Sequence, residues 1–254
     1  MKEAFILRTL AIDTSAIPLS VAIIEDGVPV ASVMTARKKN HSVTLMPAVQ
    51  EALGLAQLKV DELDRLIVAA GPGSYTGVRI AVTTAKTLAW TTGKPLYAVS
   101  SLAALTTSWA QSSGQLIVPL IDARRQHFFS GFYQWQSGEI KQLAPDDYLD
   151  RQLIVERIQS LAGHHEKIVL SGDLTDEQQD FFAEQLKPTN VELTFAQGLQ
   201  RMPIAAEFES LIQNRQPVAD LDAFAPIYLR LTEAEVNWQA QHPNEGSEHY
   251  VEQV

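Results

Sequence analysis

The chain has no cysteine among its 254 residues, which excludes disulfides, thiolate nucleophiles and cysteine-ligated metal sites. Positive charge is also scarce. Twenty lysines and arginines against 30 aspartates and glutamates leave a formal net charge of −10, so an independent grip on nucleic acid is not expected and any RNA role calls for a basic partner. No apolar run approaches the ~20 residues needed to span a bilayer. The opening Ala4-Phe5-Ile6-Leu7 is interrupted by Arg8 and Thr9 before it could act as a signal core. A cytoplasmic protein with no membrane contact is the expectation.

Familiar catalytic patterns are missing too. There is no G-x-S-x-G, and the histidines are scattered at His41, His127, His164, His165, His242 and His249. His41 opens a helical stretch, where a second histidine four residues on would complete H-x-x-x-H on one face, but that position is Leu45. The half-motif cannot hold a metal alone. His164-His165 sits in a Gly-His-His-Glu turn and reads as a solvated loop. Neither a resident metal nor a cofactor is expected.

What the chain does contain is concentrated in Gly71-Pro72-Gly73-Ser74-Tyr75-Thr76-Gly77-Val78-Arg79-Ile80. The apolar run Leu66-Ile67-Val68-Ala69-Ala70 before it has the pattern of a strand covered on both faces. Val78, Ala81, Val82, Ala85, Leu88 and Ala89 after it recur at helical spacing. A strand, a glycine turn and a helix N-terminus together form a place where phosphate can bind. However, a Walker A loop needs G-x-x-x-x-G-K-S/T, and no lysine follows a final glycine here; the dinucleotide fingerprint fails in its third glycine. By spacing alone, glycines for positive φ and close strand–helix packing are the stronger reading.

Around this turn the chain reads as two similar halves. Strands at 10–15, 20–25 and 28–34, the second and third joined by Asp26-Gly27, precede a helix over 40–55 that contains Pro47. The strand–turn–helix follows, then a strand at 96–99 and helix at 102–110. This β-β-β-α-β-α-β-α order is ribonuclease-H-like. After the polar break Gln111-Ser112-Ser113-Gly114, strands at 116–122, 126–133 and 140–143, a helix at 148–161, a strand at 167–171 and a helix at 176–186 repeat its opening. A further helix is expected over 204–214. The expected organisation is therefore α/β: a first lobe over 1–110, a second lobe with a returning segment over 111–236, and a polar tail over 237–254.

The candidate chemistry is modest. Asp13 ends the first strand where actin-like ATPases place an acidic residue near metal and phosphate, though a short Asx turn would explain it equally. Asp122-Ala123-Arg124-Arg125 either faces the cleft or forms a surface ion-pair turn. Asp13, Thr14, Ser15, Gly71, Gly73 and Asp122 are thus the candidates for a cleft or vestigial nucleotide site.

Ala11-Ile12-Asp13-Thr14-Ser15, Asn40-His41-Ser42, the glycine stretch, Ile121-Asp122-Ala123-Arg124-Arg125 and Pro226-Ile227-Tyr228-Leu229-Arg230 together resemble the TsaB (YeaZ) family, in order over nearly the whole chain. The resemblance implies two ribonuclease-H-like lobes in an actin-like (ASKHA) arrangement. It implies a non-catalytic subunit acting with a TsaD-like catalytic paralogue and a TsaE-like ATPase in attaching threonylcarbamoyl to the tRNA adenosine beside the anticodon, with tRNA met only within the complex. It implies pairing, as a homodimer or with the paralogue, through the first-lobe helices. The small residues Ala81, Ala85 and Ala89 suit close approach by a partner, although packing on the protein's own sheet explains them as well and one stripe cannot serve both; the expected interface is Leu45, Val49, Ala52, Val78, Val82 and Ala85, burying about 800 Å² per partner. The alternative from a different class is an actin-like phosphotransferase or ATPase using Asp13 and the glycine turn.

Overall fold

The computed structural model describes residues 6–37 and 40–230; the expected tail over 237–254 lies outside them. β1 (Arg8–Asp13), β2 (Leu19–Glu25) and β3 (Val28–Thr35) form an antiparallel meander. Asp26 and Gly27 turn the second hairpin at φ 49° and 81°, both in the left-handed region a tight two-residue link requires. β4 (Arg65–Ala69) pairs in parallel with β1, and β5 (Leu96–Val99) with β4, giving the order β3-β2-β1-β4-β5. Burial on both faces explains why β1 and β4 read as unbroken apolar runs.

The second sheet repeats this wiring. β6 (Gln115–Asp122), β7 (His127–Gln136) and β8 (Glu139–Asp150) form the meander, with β9 (Lys167–Ser171) and β10 (Glu192–Phe195) added in parallel, in the order β10-β9-β6-β7-β8. Both lobes therefore have the ribonuclease-H-like order, and the two together make the actin-like α/β architecture.

α1 (His41–Leu55) and α2 (Tyr75–Thr92) cover one face of the first sheet. Each starts on a side-chain cap: Asn40 accepts from the amide of Ser42, and Ser74 from that of Gly77. α2 stops at Gly93, in the left-handed conformation at φ 68°. Leu45, Val49 and Ala52 of α1 and Val78, Val82 and Ala85 of α2 lie in one core with Leu10, Ile12, Val21 and Val68. None of those six helix residues is more than 1% exposed. The sequence expectation that they form a partner interface is therefore corrected: the small-residue stripe serves the lobe's own helix–sheet packing, and a side chain so buried meets no partner while the lobe is folded.

A second core lies between the sheets, joining Ala11, Ile67 and Val99 of the first to Ile117, Tyr133, Trp135 and Val169 of the second. α3 (Ser101–Ala104) and the 3₁₀ turns Thr107–Trp109 and Ala205–Leu211 fill it. The last replaces the α-helix expected over 204–214. Ala205, Phe208 and Leu211 recur every three residues, which aligns all three along a 3₁₀ helix, whereas an α-helix would fan them over about 120°. α4 (Arg151–Ala162) and α5 (Asp176–Leu186) close the outer face of the second sheet. α4 begins three residues later than expected, because β8 continues to Asp150, whose carboxylate caps the amides of Gln152 and Leu153.

Beyond the 3₁₀ turn, the chain returns to the first lobe. Val218 donates to the Leu96 carbonyl at 2.8 Å, and Val218, Leu221 and Phe224 pack on the first core. Lys86 of α2 holds the carbonyls of Asp222 and Phe224 at 3.1 and 2.7 Å.

Candidate functional site

The glycine turn closes onto the β1–β2 loop through backbone and one side-chain hydroxyl. Ser74 donates its amide to the Ser15 carbonyl at 2.7 Å, and the Thr14 hydroxyl donates to the Gly77 carbonyl at 2.7 Å. A Cβ at Gly73 would stand 2.3 Å from the Ser15 oxygen, and one at Gly77 2.1 Å from the Thr14 oxygen. At Gly71, with φ +111°, it would meet the Ile227 carbonyl at 2.5 Å. These glycines exist for close approach. The amide of Gly71 goes to Ser101 Oγ at 3.1 Å and that of Gly77 to Ser74 Oγ at 3.3 Å. A phosphate here would meet the carbonyls of Thr14 and Ser15 and find three of the turn's amides already donated.

Asp13, Thr14, Ser15, Gly71 and Gly73 are thus brought together, but as a packed junction. Asp13 is fully buried. Its Oδ1 accepts the Ser15 amide at 2.6 Å while Oδ2 has no partner. Burial pushes its pKa from 3.8 up to about 6, and the Ser15 bond only partly opposes this. His41 donates from Nε2 to the Ala16 carbonyl at 3.1 Å, tying the start of α1 to the same loop. Leu45, one turn on, is in the core.

Asp122 stands apart from this junction, exposed on the β6–β7 turn, where it accepts the Arg124 amide at 2.8 Å. Arg124, Arg125 and Gln126 follow at φ 69°, 53° and 64°. The returning segment connects this turn to the glycine turn: Ile227 donates to the Ala70 carbonyl at 2.7 Å, and Arg230 Nη1 donates to the Ala123 carbonyl at 3.2 Å. Residues 227–230 therefore cross between the lobes at the ends of β4 and β6. A second crossing is polar. Ser100, the α3 cap, donates to Asp146 of β8, which also accepts from Tyr133. Burial raises the pKa of both Asp146 and Tyr133.

The outward face of the first-lobe helices is the other notable surface. Val43 and Met46 of α1 are 66% and 41% exposed, and Tyr75 and Trp90 of α2 are 44% and 74%. A shallow cavity of about 530 Å³ lies between the helix N-termini, lined by Ser42, Tyr75, Arg79, Ile80 and Thr83 among others. Helical spacing marks Val43, Met46, Val49 or Gln50, and Leu53 as one face of α1, but the structure turns Val49 into the core and leaves Val43 and Met46 outside; Trp90 of α2 lies outside its helix's core stripe as well. Among the described residues there is no cluster of three or more histidines and carboxylates able to hold a metal, and no helix long and apolar enough to cross a membrane.

Comparison with known proteins agrees with this architecture. The family model described as TsaD, tRNA N6-adenosine threonylcarbamoyltransferase, matches residues 31–238. The tRNA threonylcarbamoyladenosine biosynthesis protein TsaB of Bacillus subtilis is 37% identical over 91% of this chain and 98% of its own length. The Escherichia coli protein of the same name is 30% identical over 62% of this chain and 68% of its own. Among solved structures, an uncharacterized Pseudomonas aeruginosa protein with similarity to peptidase YeaZ superposes with a TM-score of 0.73, at 26% identity over 88% of this chain and all of that one. YeaZ from the same organism gives 0.69 at 24% identity, over 88% of this chain and all of that one, a likeness of fold.

Proposed function

The chain belongs to the TsaB/YeaZ family, and from that premise we propose that it serves threonylcarbamoyladenosine formation in tRNA as a non-catalytic subunit that docks on a TsaD-like catalytic partner. The observation that carries this reading is the closed glycine turn. Where an actin-like enzyme handles phosphate, this chain packs backbone on backbone, with the Thr14 and Ser15 carbonyls against Gly77 and Gly73 and the Asp13 carboxylate fully buried. Carbonyl oxygens repel a phosphate, and a carboxylate with its pKa near 6 through burial is poorly placed to hold a metal. His41 spends Nε2 on a backbone carbonyl, and Leu45 offers no second ligand. Among the described residues, neither phosphoryl transfer nor metal-assisted proteolysis finds its groups assembled.

Docking is assigned to the outward row of α1 and α2, with Val43 and Met46 beside the cavity at Tyr75 and Ile80. These exposed apolar side chains are supplied by rigid elements whose inner faces are fixed by the core, the arrangement a helix-to-helix interface of about 800 Å² per partner needs. In the partner's absence the same row pairs two copies of this chain. A TsaE-like ATPase completes the assembly, and tRNA is met within it. The test is co-expression with the TsaD homologue of the same genome, pull-down, and a threonylcarbamoylation assay on tRNA transcript with and without this chain. Activity of the TsaD homologue and ATPase that is unchanged by omitting the chain would overturn the proposal.

A further inference from the structure

The docking face of α1 and α2 is poor in acids, in a chain that is rich in them. The chain carries 30 aspartates and glutamates, yet none of the 18 residues of α2 is acidic and the 15 of α1 include only Glu51. The cavity between the helix N-termini has no acidic residue in its wall. α2 brings two cations to this face, Arg79 and Lys86. Lys86 is spent on the carbonyls of Asp222 and Phe224. Arg79 is exposed and stands in the cavity wall beside Ile80 and Thr83.

Arg79 is also held ready for a ligand. Its Nη1 donates to the Tyr75 hydroxyl at 2.7 Å, and the guanidinium lies over that ring, 5.4 Å from the centroid. Tyr75 stacks in turn on Tyr228, with centroids 4.8 Å apart, so the guanidinium is braced from the returning segment as well as from its own helix. Bracing lowers the rotamer entropy that a long side chain loses on binding. Among the described residues, the Tyr75 hydroxyl is its one hydrogen-bond acceptor, and no carboxylate stands at ion-pair distance. A guanidinium has five N–H donors in a planar fork, so most of its donors remain for a partner.

We infer that Arg79 is the charged anchor of this face and takes a carboxylate of the partner protein, beside the apolar contacts of Val43, Met46 and Ile80. The inference rests on the docking reading above and deepens it by naming the chemistry of the partner's surface and the residue that chooses between partners. The apolar side chains fit any helix of matching shape, a second copy of this chain included. Arg79 does not. Two copies meeting through α1 and α2 bring only cations and Glu51, whereas a partner acid at the cavity turns a charge losing its water into a bidentate pair. Specificity is the difference between those two outcomes. RNA is the poorer match, since a strand of phosphates calls for several unspent cations and these two helices offer one.

Isothermal titration calorimetry of the full chain against the TsaD homologue of the same genome, across a salt series, tests this, with self-association followed by sedimentation equilibrium. Arg79→Gln is expected to weaken the heteropair about tenfold or more, to make it less sensitive to salt, and to leave self-association unchanged. Arg79→Lys keeps the charge without the planar fork and is expected to recover only part of the loss. Recovery of pairing by Arg79→Glu, when one aspartate or glutamate of the partner is changed to arginine, identifies the acid. Thermal melting of each variant, expected to be unmoved because Arg79 is exposed, separates lost pairing from misfolding. Unchanged heteropair affinity in Arg79→Gln, while Val43→Glu and Met46→Glu abolish pairing, would overturn the inference and leave the docking face standing. Pairing indifferent to all three, or no pairing at all, would overturn both. Equal loss of self-association, reproduced by Glu51→Gln, would place the acid on a second copy and overturn the inference. So would an unmodified tRNA transcript that competes with the partner for the unaltered chain but not for Arg79→Gln.

Discussion

Gly77 lies directly against the carbonyl of Thr14: a Cβ there would stand 2.1 Å from that oxygen, while the Thr14 hydroxyl donates to Gly77's own carbonyl at 2.7 Å. The first turn of α2 and the end of β1 are thereby locked together at the centre of the first lobe. Gly77→Ala forces backbone apart and is expected to cost about 1–3 kcal/mol. For a chain of this size that is a fall in melting temperature of a few degrees, about 2–4 °C for each kcal/mol, read by circular dichroism. Unchanged melting would show that the junction yields.

The inward and outward faces of α1 and α2 should separate cleanly on substitution. Val43→Glu and Met46→Glu change exposed side chains and should leave melting within about 2 °C while abolishing pull-down of a TsaD-like partner. Val82→Glu and Leu45→Glu place a carboxylate in the core and should cost about 4 kcal/mol or more, so that pairing is lost through unfolding. Loss of pairing by a well-folded Val82→Glu variant would contradict the burial argument.

The Asp13 carboxyl makes the chain sensitive to mildly acidic pH in a definite direction. Its folded pKa of about 6 is above the ordinary 3.8, so the folded state binds the proton more tightly. The stabilisation is full below pH 4 and is lost as pH rises through 6, a contribution of about 3 kcal/mol for a shift of about two units. Asp13→Asn keeps the acceptor for Ser15 but cannot ionise. Urea unfolding from pH 4 to pH 7 should show the difference between Asp13→Asn and the unaltered chain growing in favour of the variant. A pH-independent difference would refute the assignment.

Arg65 pairs with Glu209, and Thr9 bonds both, joining β4 and β1 to the 3₁₀ turn Ala205–Leu211. The pair is largely shielded, with side-chain exposures of 19% and 15%. Glu209→Ala strands a guanidinium inside and is expected to cost about 2–3 kcal/mol, whereas replacing both partners by apolar residues should cost less. A double-mutant cycle in urea measures the coupling, and a coupling near zero would remove the pair from the interlobe contacts.

Much of this architecture was legible before any coordinates. Alternation and continuous apolar runs marked nine of the ten strands, because burial on one or two faces leaves a period in the residues themselves. β10 escaped notice because four residues with only Leu193 and Phe195 facing inward carry little period. The overlong helix assigned from Tyr148 arose because an edge strand such as β8 is half-exposed on both faces and has no clear alternation. The 204–214 segment was legible as helical, but not as 3₁₀, since three-residue and 3.6-residue spacings diverge only over more than two turns.

The candidate site divides in the same way. By itself the sequence determined that the stretch from Gly71 to Ile80 is a strand–turn–helix junction, that no Walker lysine follows it, and that Leu45 breaks the metal motif, because these are matters of residue type and spacing. Only the tertiary structure decided what the glycines approach and which side of the helices faces out. A stripe of alanines and valines packs equally well on its own sheet or on a partner, and the choice lies in where β1, β4 and the returning segment are placed. The stacking of Tyr75 on Tyr228 and the seat of Arg230 over Tyr148 are likewise invisible along the chain, since these residues come from three segments far apart in sequence that meet only once both lobes have folded.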